Sequence, residues 1–143
     1  MSDTAQPPTR AVPPLVMVVD DYADSRELYG FHLTRVGYRV EEIGDGHTAF
    51  AKATQLVPDV VLTDMMLPGI DGWELVRRLK GDARTAHVPV IALTAAVVPG
   101  DEARAWAVGC DGFLRTPISP EVLAAEVARV LECMAREREQ ASQ

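Results

Sequence analysis

Short apolar runs alternate with segments of helical spacing along most of this chain, and this alternation restricts the fold more than any other feature. The apolar runs are predicted strands at Leu15–Val19, Tyr38–Ile43, Val60–Thr63, Val88–Leu93 and Gly112–Leu114. The first, third and fourth runs are apolar at consecutive positions instead of alternate ones. Strands covered on both faces have this pattern, which is typical of a parallel sheet.

The segments between these runs repeat their apolar residues at helical spacing. Five helices are predicted, at Asp24–Val36, Thr48–Leu56, Gly72–Lys80, Pro99–Val108 and Ser119–Arg138. In the first helix the apolar side is predicted to include Leu28 and Phe31, and Gly37 follows where a C-cap favours a left-handed residue. In the last helix, Ser119 suits the N-cap and Pro120 the first turn.

Five strand–helix pairs in one short chain predict a single α/β domain with helices on both faces of the sheet. Right-handed crossovers limit its topology to a few doubly wound strand orders. The proline-rich residues 1–14 are interpreted as a disordered or extended tail. Residues 15–135 form the predicted domain, and residues 136–143 a C-terminal tail.

The composition and charge exclude several classes of function. Fourteen Lys and Arg against 21 Asp and Glu give a net charge of −7, which argues against nonspecific binding to nucleic acid or to an anionic membrane. No apolar run approaches the roughly 20 residues of a membrane span, and the first residues lack the apolar stretch of a secretory signal. Cys110 and Cys133 make no disulfide framework, and isolated thiols fit the reducing cytoplasm. The usual zinc patterns are excluded, because His32, His47 and His87 have no Cys or His at ligand spacing.

Acidic and hydroxyl side chains follow the predicted strands at the edge where parallel α/β sheets bind their ligands. Asp20 and Asp21 follow the first strand, Asp64 follows the third, and Thr94 ends the fourth. Three carboxylates at one edge repel one another unless protons or a cation neutralise them. Oxygen-only ligands favour a hard ion, Mg²⁺ or Mn²⁺, and one carboxylate could then attack phosphorus as a nucleophile. Each residue alone is more often a loop or cap residue, so the prediction depends on their joint occurrence.

Four segments carry a resemblance to a known family: VMVVDD, DVVLTDMMLPGIDGWEL, VPVIALTA and GCDGFLRTPISPEVL, in this order. They closely resemble the response-regulator receiver domain of CheY type, over about residues 15–131. The D-x-x-x-P-x-x-x-G pattern of Asp64, Pro68 and Gly72 is specific when it accompanies the upstream acidic pair and the downstream Thr-Ala. The resemblance implies a flavodoxin-like α/β fold, a doubly wound five-stranded parallel sheet in the order 2-1-3-4-5 flanked by five helices.

The resemblance also implies a role for each matching acidic residue. Asp64 would accept a phosphoryl group from the phosphohistidine of a histidine kinase or phosphotransfer protein. Asp21 and Asp64 would bind Mg²⁺ directly, together with the backbone carbonyl of Met66, and Asp20 would hold the ion through water. The side chain of Met66 is large and apolar, so we expect it to shield the acyl phosphate from water.

The fifth strand leads into a departure from the family pattern. Thr116 occupies the position of the family's lysine, which binds a phosphoryl oxygen, so a hydrogen-bond donor remains but a positive charge is lost. Arg115 is an alternative cation because guanidinium suits phosphate, although adjacent strand residues point to opposite sides. The resemblance further implies that Thr94 moves toward the phosphoryl group and that Phe113 turns inward as the aromatic switch.

The leading interpretation is a stand-alone receiver of a two-component system that signals through protein contacts and is not an enzyme toward other substrates. Its partners would be a histidine kinase or phosphotransfer protein and an unknown downstream protein, with no nucleic acid and no membrane. The alternative is a pseudo-receiver that binds partners without phosphorylation; Thr116 supports it and the intact acidic cluster opposes it. A phosphotransferase or phosphatase with an aspartyl-phosphate intermediate is disfavoured, because Met66 stands where such enzymes need a second acid.

Overall fold

Five strands and five helices alternate in the computed structural model, which describes residues 12–95 and 98–141. The strands are β1 (Leu15–Val19), β2 (Arg39–Ile43), β3 (Val60–Asp64), β4 (Val90–Thr94) and β5 (Gly112–Arg115). The helices are α1 (Ala23–Arg35), α2 (Gly46–Leu56), α3 (Gly72–Gly81), α4 (Asp101–Val108) and α5 (Pro120–Ala141). Each predicted element is present, and the boundaries differ from the predicted ones by a few residues, as is usual for element ends.

All five strands are parallel and lie in the order β2-β1-β3-β4-β5. The structure therefore confirms the predicted doubly wound sheet and its strand order. β1 and β3 are direct neighbours, with Val19 opposite Thr63 in the register. Since the strands run in the same direction, the residues that follow β1 and those that end β3 meet at one edge of the sheet.

Helices cover both faces of the sheet, which explains why the central strands are apolar at consecutive positions. On one face, α2, α3 and α4 pack through a buried cluster that includes Ala53, Leu79 and Ala105. On the other face, α1 and α5 pack through a second cluster that includes Leu33 and Val127. Each fully buried Val or Leu side chain contributes about 1.5–3 kcal/mol. Burial on two faces is thus a main source of the fold's stability.

The buried side of α1 differs from the predicted one. Leu28 and Phe31 are both exposed, and Tyr29 and Leu33 are buried in their place. Tyr29 and Leu33 are one helical turn apart, so they form the stripe that contacts the sheet. Phe31 instead lies beside Arg35, whose guanidinium carbon is 5.7 Å from the ring centroid. The helix carries apolar residues on two sides, and spacing alone selected the wrong one.

Several helix ends follow local signals in the sequence. The Ser119 hydroxyl accepts a hydrogen bond from the Val122 N–H at the start of α5, as its predicted N-cap role requires. Gly37 and Gly109 follow α1 and α4 with φ of 111° at both positions, a left-handed conformation that favours glycine. These residues stop the helices and direct the chain into the next strand.

The two predicted tails differ in what the structure describes. Residues 1–11 of the predicted N-terminal tail lie outside the described residues, whereas the Pro14 carbonyl accepts a hydrogen bond from the Arg39 N–H at the start of β2. At the other end, α5 continues to Ala141, past the predicted domain boundary at residue 135. No helix within the described ranges is both long and apolar enough to cross a membrane.

Candidate acidic phosphoacceptor site

Three carboxylates meet at the carboxyl edge of the sheet. Asp20 and Asp21 directly follow β1, and Asp64 is the last residue of β3. One oxygen atom from each carboxylate lies within 4.8 Å of the other two. This proximity follows from the strand order, because β1 and β3 are adjacent and parallel. The structure thus brings together the three acids that the sequence placed at the ends of two separate strands.

Asp20 is the most buried member of the cluster, with 6% of its surface exposed. Its Oδ1 accepts a hydrogen bond from the Tyr22 N–H at 3.0 Å, and its carbonyl accepts one from the Arg26 guanidinium at 2.7 Å. Burial is the largest influence on the Asp20 carboxyl and raises its pKa, and the charge of Asp21 raises it further. The Tyr22 N–H and the Arg26 charge lower this pKa but do not cancel the rise. The ionised form of Asp20 is therefore disfavoured unless a cation joins it.

Asp64 is held in orientation by the residue two positions later. The Met66 N–H donates a hydrogen bond to Asp64 Oδ1 at 3.0 Å, while the Met66 side chain is 64% exposed. Burial raises the pKa of Asp64, and the charges of Asp20 and Asp21 add to the rise, against the lowering effect of the Met66 N–H. The candidate acceptor is thus a fixed carboxylate in a crowded acidic environment.

The turn after β3 brings the start of α3 directly against the backbone of the candidate acceptor. The Gly72 N–H donates a hydrogen bond to the Met65 carbonyl at 3.1 Å. A Cβ at Gly72 would lie 2.5 Å from the Met65 Cα and 2.6 Å from the Asp64 carbonyl oxygen, so a side chain there has no room. Earlier in the turn, Gly69 has a φ of 75°. The close approach of two backbone segments therefore explains why the last position of the D-x-x-x-P-x-x-x-G pattern is a glycine.

The donor set at this edge fits a hard divalent cation. In the part of the chain that the structure describes, the cluster offers carboxylate oxygens and neither imidazole nor thiolate. Mg²⁺ and Mn²⁺ prefer such oxygen ligands. The raised pKa values of Asp20 and Asp64 have the same implication, because bound positive charge would relieve both the repulsion and the burial of negative charge.

A cavity of about 300 Å³ opens beside the acidic cluster; we call it the acidic cavity. Its lining comprises Asp20, Tyr22, Ser25, Tyr29, Asp64, Leu93, Ala95, Thr116 and Pro117. Thr116 thus faces the same space as the candidate acceptor. Arg115 lines a different groove, beside residues 98–100 at the start of α4. No Lys or Arg is present among the described residues that line the acidic cavity.

Thr94 and Phe113, the two predicted switch residues, do not belong to the described lining of the acidic cavity. Thr94 is the last residue of β4, is 3% exposed, and accepts a hydrogen bond from the Thr116 N–H through its carbonyl at 2.9 Å. Phe113 lies opposite Ala92 in the register of β5 with β4 and packs half-buried against the cluster beneath α2, α3 and α4. Thr116, which lines the cavity, is therefore hydrogen-bonded to the predicted switch residue Thr94. The other predicted switch residue, Phe113, pairs with the same strand, β4.

Sequence reasoning missed the contribution of α1 to the acidic cavity. Ser25 and Tyr29 are one turn apart and both line it. The Tyr29 hydroxyl accepts a hydrogen bond from the Ile118 N–H, which follows β5. Burial raises the pKa of Tyr29, and the charges of Asp20 and Asp64 raise it further, so both carboxylates act on this hydroxyl. The i, i+4 spacing of two hydroxyl residues behind the acidic pair was the available signal, and the wrong choice of buried side for α1 concealed it.

Comparison of the sequence with known proteins gives a consistent set of relatives. The family model described as the response regulator receiver domain matches residues 16–128. Response regulator PleD of Caulobacter vibrioides is 39% identical over 112 residues, which are 78% of this chain and 25% of PleD. The phosphate regulon transcriptional regulatory protein PhoB of Pseudomonas aeruginosa is 38% identical over 116 residues, which are 81% of this chain and 51% of PhoB. The chain thus spans a quarter to about half the length of these curated relatives.

Solved structures with the same architecture agree with this result. The chemotaxis response regulator CheY4 of Vibrio cholerae aligns with a TM-score of 0.79 and 32% identity, over 83% of this chain and 99% of that one. A putative response regulator from Chloroflexus aurantiacus aligns with a TM-score of 0.79 and 28% identity, over 84% of this chain and 98% of that one. The shared fold therefore extends over nearly the whole length of these two proteins.

Proposed function

This chain belongs to the response-regulator receiver domain family of two-component signalling, and we propose that Asp64 is its phosphoryl acceptor. The donor would be the phosphohistidine of a histidine kinase or of a phosphotransfer protein. The observation that carries this proposal is the cluster of Asp20, Asp21 and Asp64, of which Asp20 and Asp64 line a cavity with room for a phosphoryl group.

The proposed step is an attack by an oxygen of the Asp64 carboxylate on the phosphorus atom. A P–O bond forms while the P–N bond of the phosphohistidine breaks, and its electron pair stays on the imidazole. The Met66 N–H holds Asp64 Oδ1, so the carboxylate is oriented before the donor arrives. The product is an acyl phosphate within the acidic cavity.

Asp21, Asp64 and the Met66 carbonyl would hold Mg²⁺, with Asp20 acting through a water molecule. The bound ion would offset negative charge on both the acids and the phosphoryl group. Mn²⁺ suits the same oxygen ligands. On this proposal the chain promotes only its own phosphorylation and dephosphorylation and turns over no other substrate.

Signalling would follow from movement of Thr94 toward the phosphoryl group, with Phe113 turning inward behind it. The backbone hydrogen bond between Thr94 and Thr116 supports a coupled response, because it joins the end of β4 to the segment after β5. Output would then pass through contacts between a downstream protein and the surface of α4, β5 and α5. We propose neither nucleic acid nor a membrane as a partner, in keeping with the net charge of −7. Cys110 and Cys133 are free thiols and form no disulfide with each other, which supports a reducing, cytoplasmic location.

A second candidate is a pseudo-receiver that binds its partners without being phosphorylated. The absence of Lys or Arg from the described lining of the acidic cavity favours it. The retained cluster of Asp20, Asp21 and Asp64 opposes it, because crowded carboxylates destabilise a fold that makes no use of them. The two candidates differ in one measurable property, which is covalent phosphorylation.

Intact mass spectrometry after incubation with acetyl phosphate and Mg²⁺ separates the two candidates. We expect the wild type to gain one phosphoryl group, and the Asp64→Asn variant to gain none under the same conditions. Chelation of Mg²⁺ should abolish the gain in the wild type. A wild type that gains no phosphoryl group from acetyl phosphate or from phosphoramidate would establish the pseudo-receiver.

A further inference from the structure

Phosphorylation of Asp64 would place additional negative charge in a cavity whose described lining contains no cationic side chain. The acids of that lining are Asp20 and Asp64, and neither can donate a hydrogen bond to a phosphoryl oxygen while ionised. The neutral donors of that lining are the hydroxyls of Tyr22, Ser25, Tyr29 and Thr116. Tyr22 is 62% exposed and so is not fixed by packing. A hydroxyl that binds a phosphoryl oxygen well must be held in place before the phosphoryl group arrives.

Tyr29 is the hydroxyl whose position the fold fixes. The residue is 5% exposed, and its ring packs in the cluster beneath α1 and α5, beside Leu33. The Ile118 N–H donates to the Tyr29 oxygen, which occupies an acceptor position of the hydroxyl and leaves its proton available to a partner. The raised pKa of this phenol, due first to burial and then to Asp20, keeps that proton in place at neutral pH.

The nearby arginines are placed for other contacts. The Arg26 guanidinium donates to the Asp20 carbonyl and lies 3.8 Å from a Glu42 carboxylate oxygen. Arg115 lines the groove at the start of α4. Neither is part of the described lining of the acidic cavity. A phosphoryl oxygen there meets hydroxyl donors in place of an ammonium group.

We propose that the Tyr29 hydroxyl donates a hydrogen bond to a phosphoryl oxygen on Asp64 and, with Thr116, binds that oxygen in place of a lysine. This inference rests on the proposed function, because it assigns a ligand to the phosphoryl group. It makes Tyr29 a phosphoryl-binding residue that also contacts the segment after β5 through Ile118. The same tyrosine thus joins the acidic cavity to the segment after β5, the strand that contains Phe113.

The test uses Tyr29→Phe, which removes the hydroxyl and keeps the buried ring. A hydrogen bond to a charged group corresponds to about a tenfold effect or somewhat more, so we expect about tenfold slower phosphorylation by acetyl phosphate at saturating Mg²⁺. The affinity for beryllofluoride, a tetrahedral phosphoryl analogue, should fall by a similar factor in titration calorimetry. The affinity for Mg²⁺ alone should stay within about twofold of the wild-type value, since Tyr29 is not among its proposed ligands.

Tyr38→Phe is the matched control. Tyr38 is also buried in the cluster beneath α1 and α5, but it precedes β2 and so lies at the opposite edge of the sheet from the acids. Loss of this hydroxyl should leave the phosphorylation rate and the beryllofluoride affinity unchanged. Urea unfolding of both variants shows whether the two substitutions perturb the fold equally.

A second arm separates phosphoryl binding from a purely structural role of Tyr29. In a Thr116→Lys background an ammonium group supplies the missing charge, so Tyr29→Phe should slow phosphorylation by less than about threefold there. An equal loss in both backgrounds would mean that Tyr29 acts only by holding Ile118, and it would overturn the proposal. An unchanged rate and beryllofluoride affinity in Tyr29→Phe would also overturn it while leaving Asp64 as the acceptor. A wild type that is never phosphorylated refutes the proposed function itself, so the two failures are distinguishable.

Discussion

Asp20 lies almost fully buried at the end of β1 while it carries a carboxylate beside two others. Burial raises its pKa above the ordinary value of 3.8, so the folded protein binds this proton more tightly than the unfolded chain does. The contribution of Asp20 to the free energy of unfolding is therefore most favourable at low pH. It declines as the pH rises from 3.8 through the raised pKa.

We expect Asp20→Asn to raise the free energy of unfolding at about pH 7 in the absence of divalent cations, because it removes a buried charge. The difference from the wild type should shrink as the pH falls toward 3.8, where Asp20 is itself becoming neutral. Urea denaturation at a series of pH values measures both effects. Asp82→Asn is the control of opposite sign, because Arg84 lowers the pKa of Asp82 to about 2 and its loss should reduce stability at neutral pH. A variant at Asp20 that is less stable than the wild type at every pH contradicts the argument.

Met66 combines a fixed backbone with an exposed apolar side chain next to the candidate acceptor. If this side chain limits the access of water to the acyl phosphate, Met66→Asn should speed dephosphorylation about three- to tenfold, or about 0.7–1.4 kcal/mol in the barrier. The rate is measured by the loss of the phosphoryl mass after the donor is removed. Met66→Leu keeps an apolar side chain and should retain the wild-type rate. Equal dephosphorylation rates in all three proteins would show that the Met66 side chain does not shield the acyl phosphate from water.

At the scale of secondary-structure elements, the contact between the end of β3 and the start of α3 sets the position of Asp64. Gly72 packs against the backbone of Met65 and Asp64 with no room for a Cβ. The Asp71 side chain accepts a hydrogen bond from the Glu74 N–H and so begins α3 at this point. The start of the helix and the acceptor are thus in direct contact, so we expect a shift of one to displace the other.

Gly72→Ala should destabilise the fold by about 1–3 kcal/mol through overpacking, and it should slow phosphorylation because the turn that orients Asp64 must shift. Urea unfolding and the acetyl phosphate reaction measure the two effects. Gly81→Ala, at the other end of the same helix, has no atom within 4 Å of the added Cβ. That control should be neutral or more stable by up to about 1 kcal/mol, with an unchanged phosphorylation rate. Equal effects of the two substitutions would show that close packing at Gly72 is not the cause.

At the scale of the whole molecule, the parallel sheet concentrates negative charge at one edge. A cation bound at that edge would stabilise the folded state and not the unfolded one. The acids belong to two strands that are joined in the folded chain and separated in the unfolded one. Binding energy at the site therefore appears as folding stability, and it increases with the cation concentration.

Mg²⁺ at ten times its dissociation constant should raise the free energy of unfolding by about 1.4 kcal/mol. Thermal or urea unfolding at increasing Mg²⁺ measures the gain, and NaCl at matched ionic strength controls for screening of the net charge. In Asp64→Asn the gain should be much smaller, because a proposed ligand loses its charge. A gain that NaCl reproduces in full would indicate screening and not a bound ion.

The order of elements and the placement of acids at strand ends were readable in the sequence, because both depend on local patterns. Two-sided burial makes β1, β3 and β4 apolar at consecutive positions, and short polar segments mark where they end. The adjacency of Asp20 and Asp64 then needed only the strand order that the family resemblance implied. The buried side of α1 was not readable, since Leu28 and Phe31 are as apolar as the residues that the sheet covers.

The sequence by itself determined an α/β domain with its acids at one edge, because hydrophobic periodicity and chain order specify which groups end each strand. Only the tertiary structure decided that Tyr29 lines the acidic cavity with Thr116 and that Arg115 lies in another groove. These placements depend on how α1 is rotated against the sheet and on the direction of single side chains after β5. Both are set by packing between segments that are far apart in the chain, which no local pattern encodes.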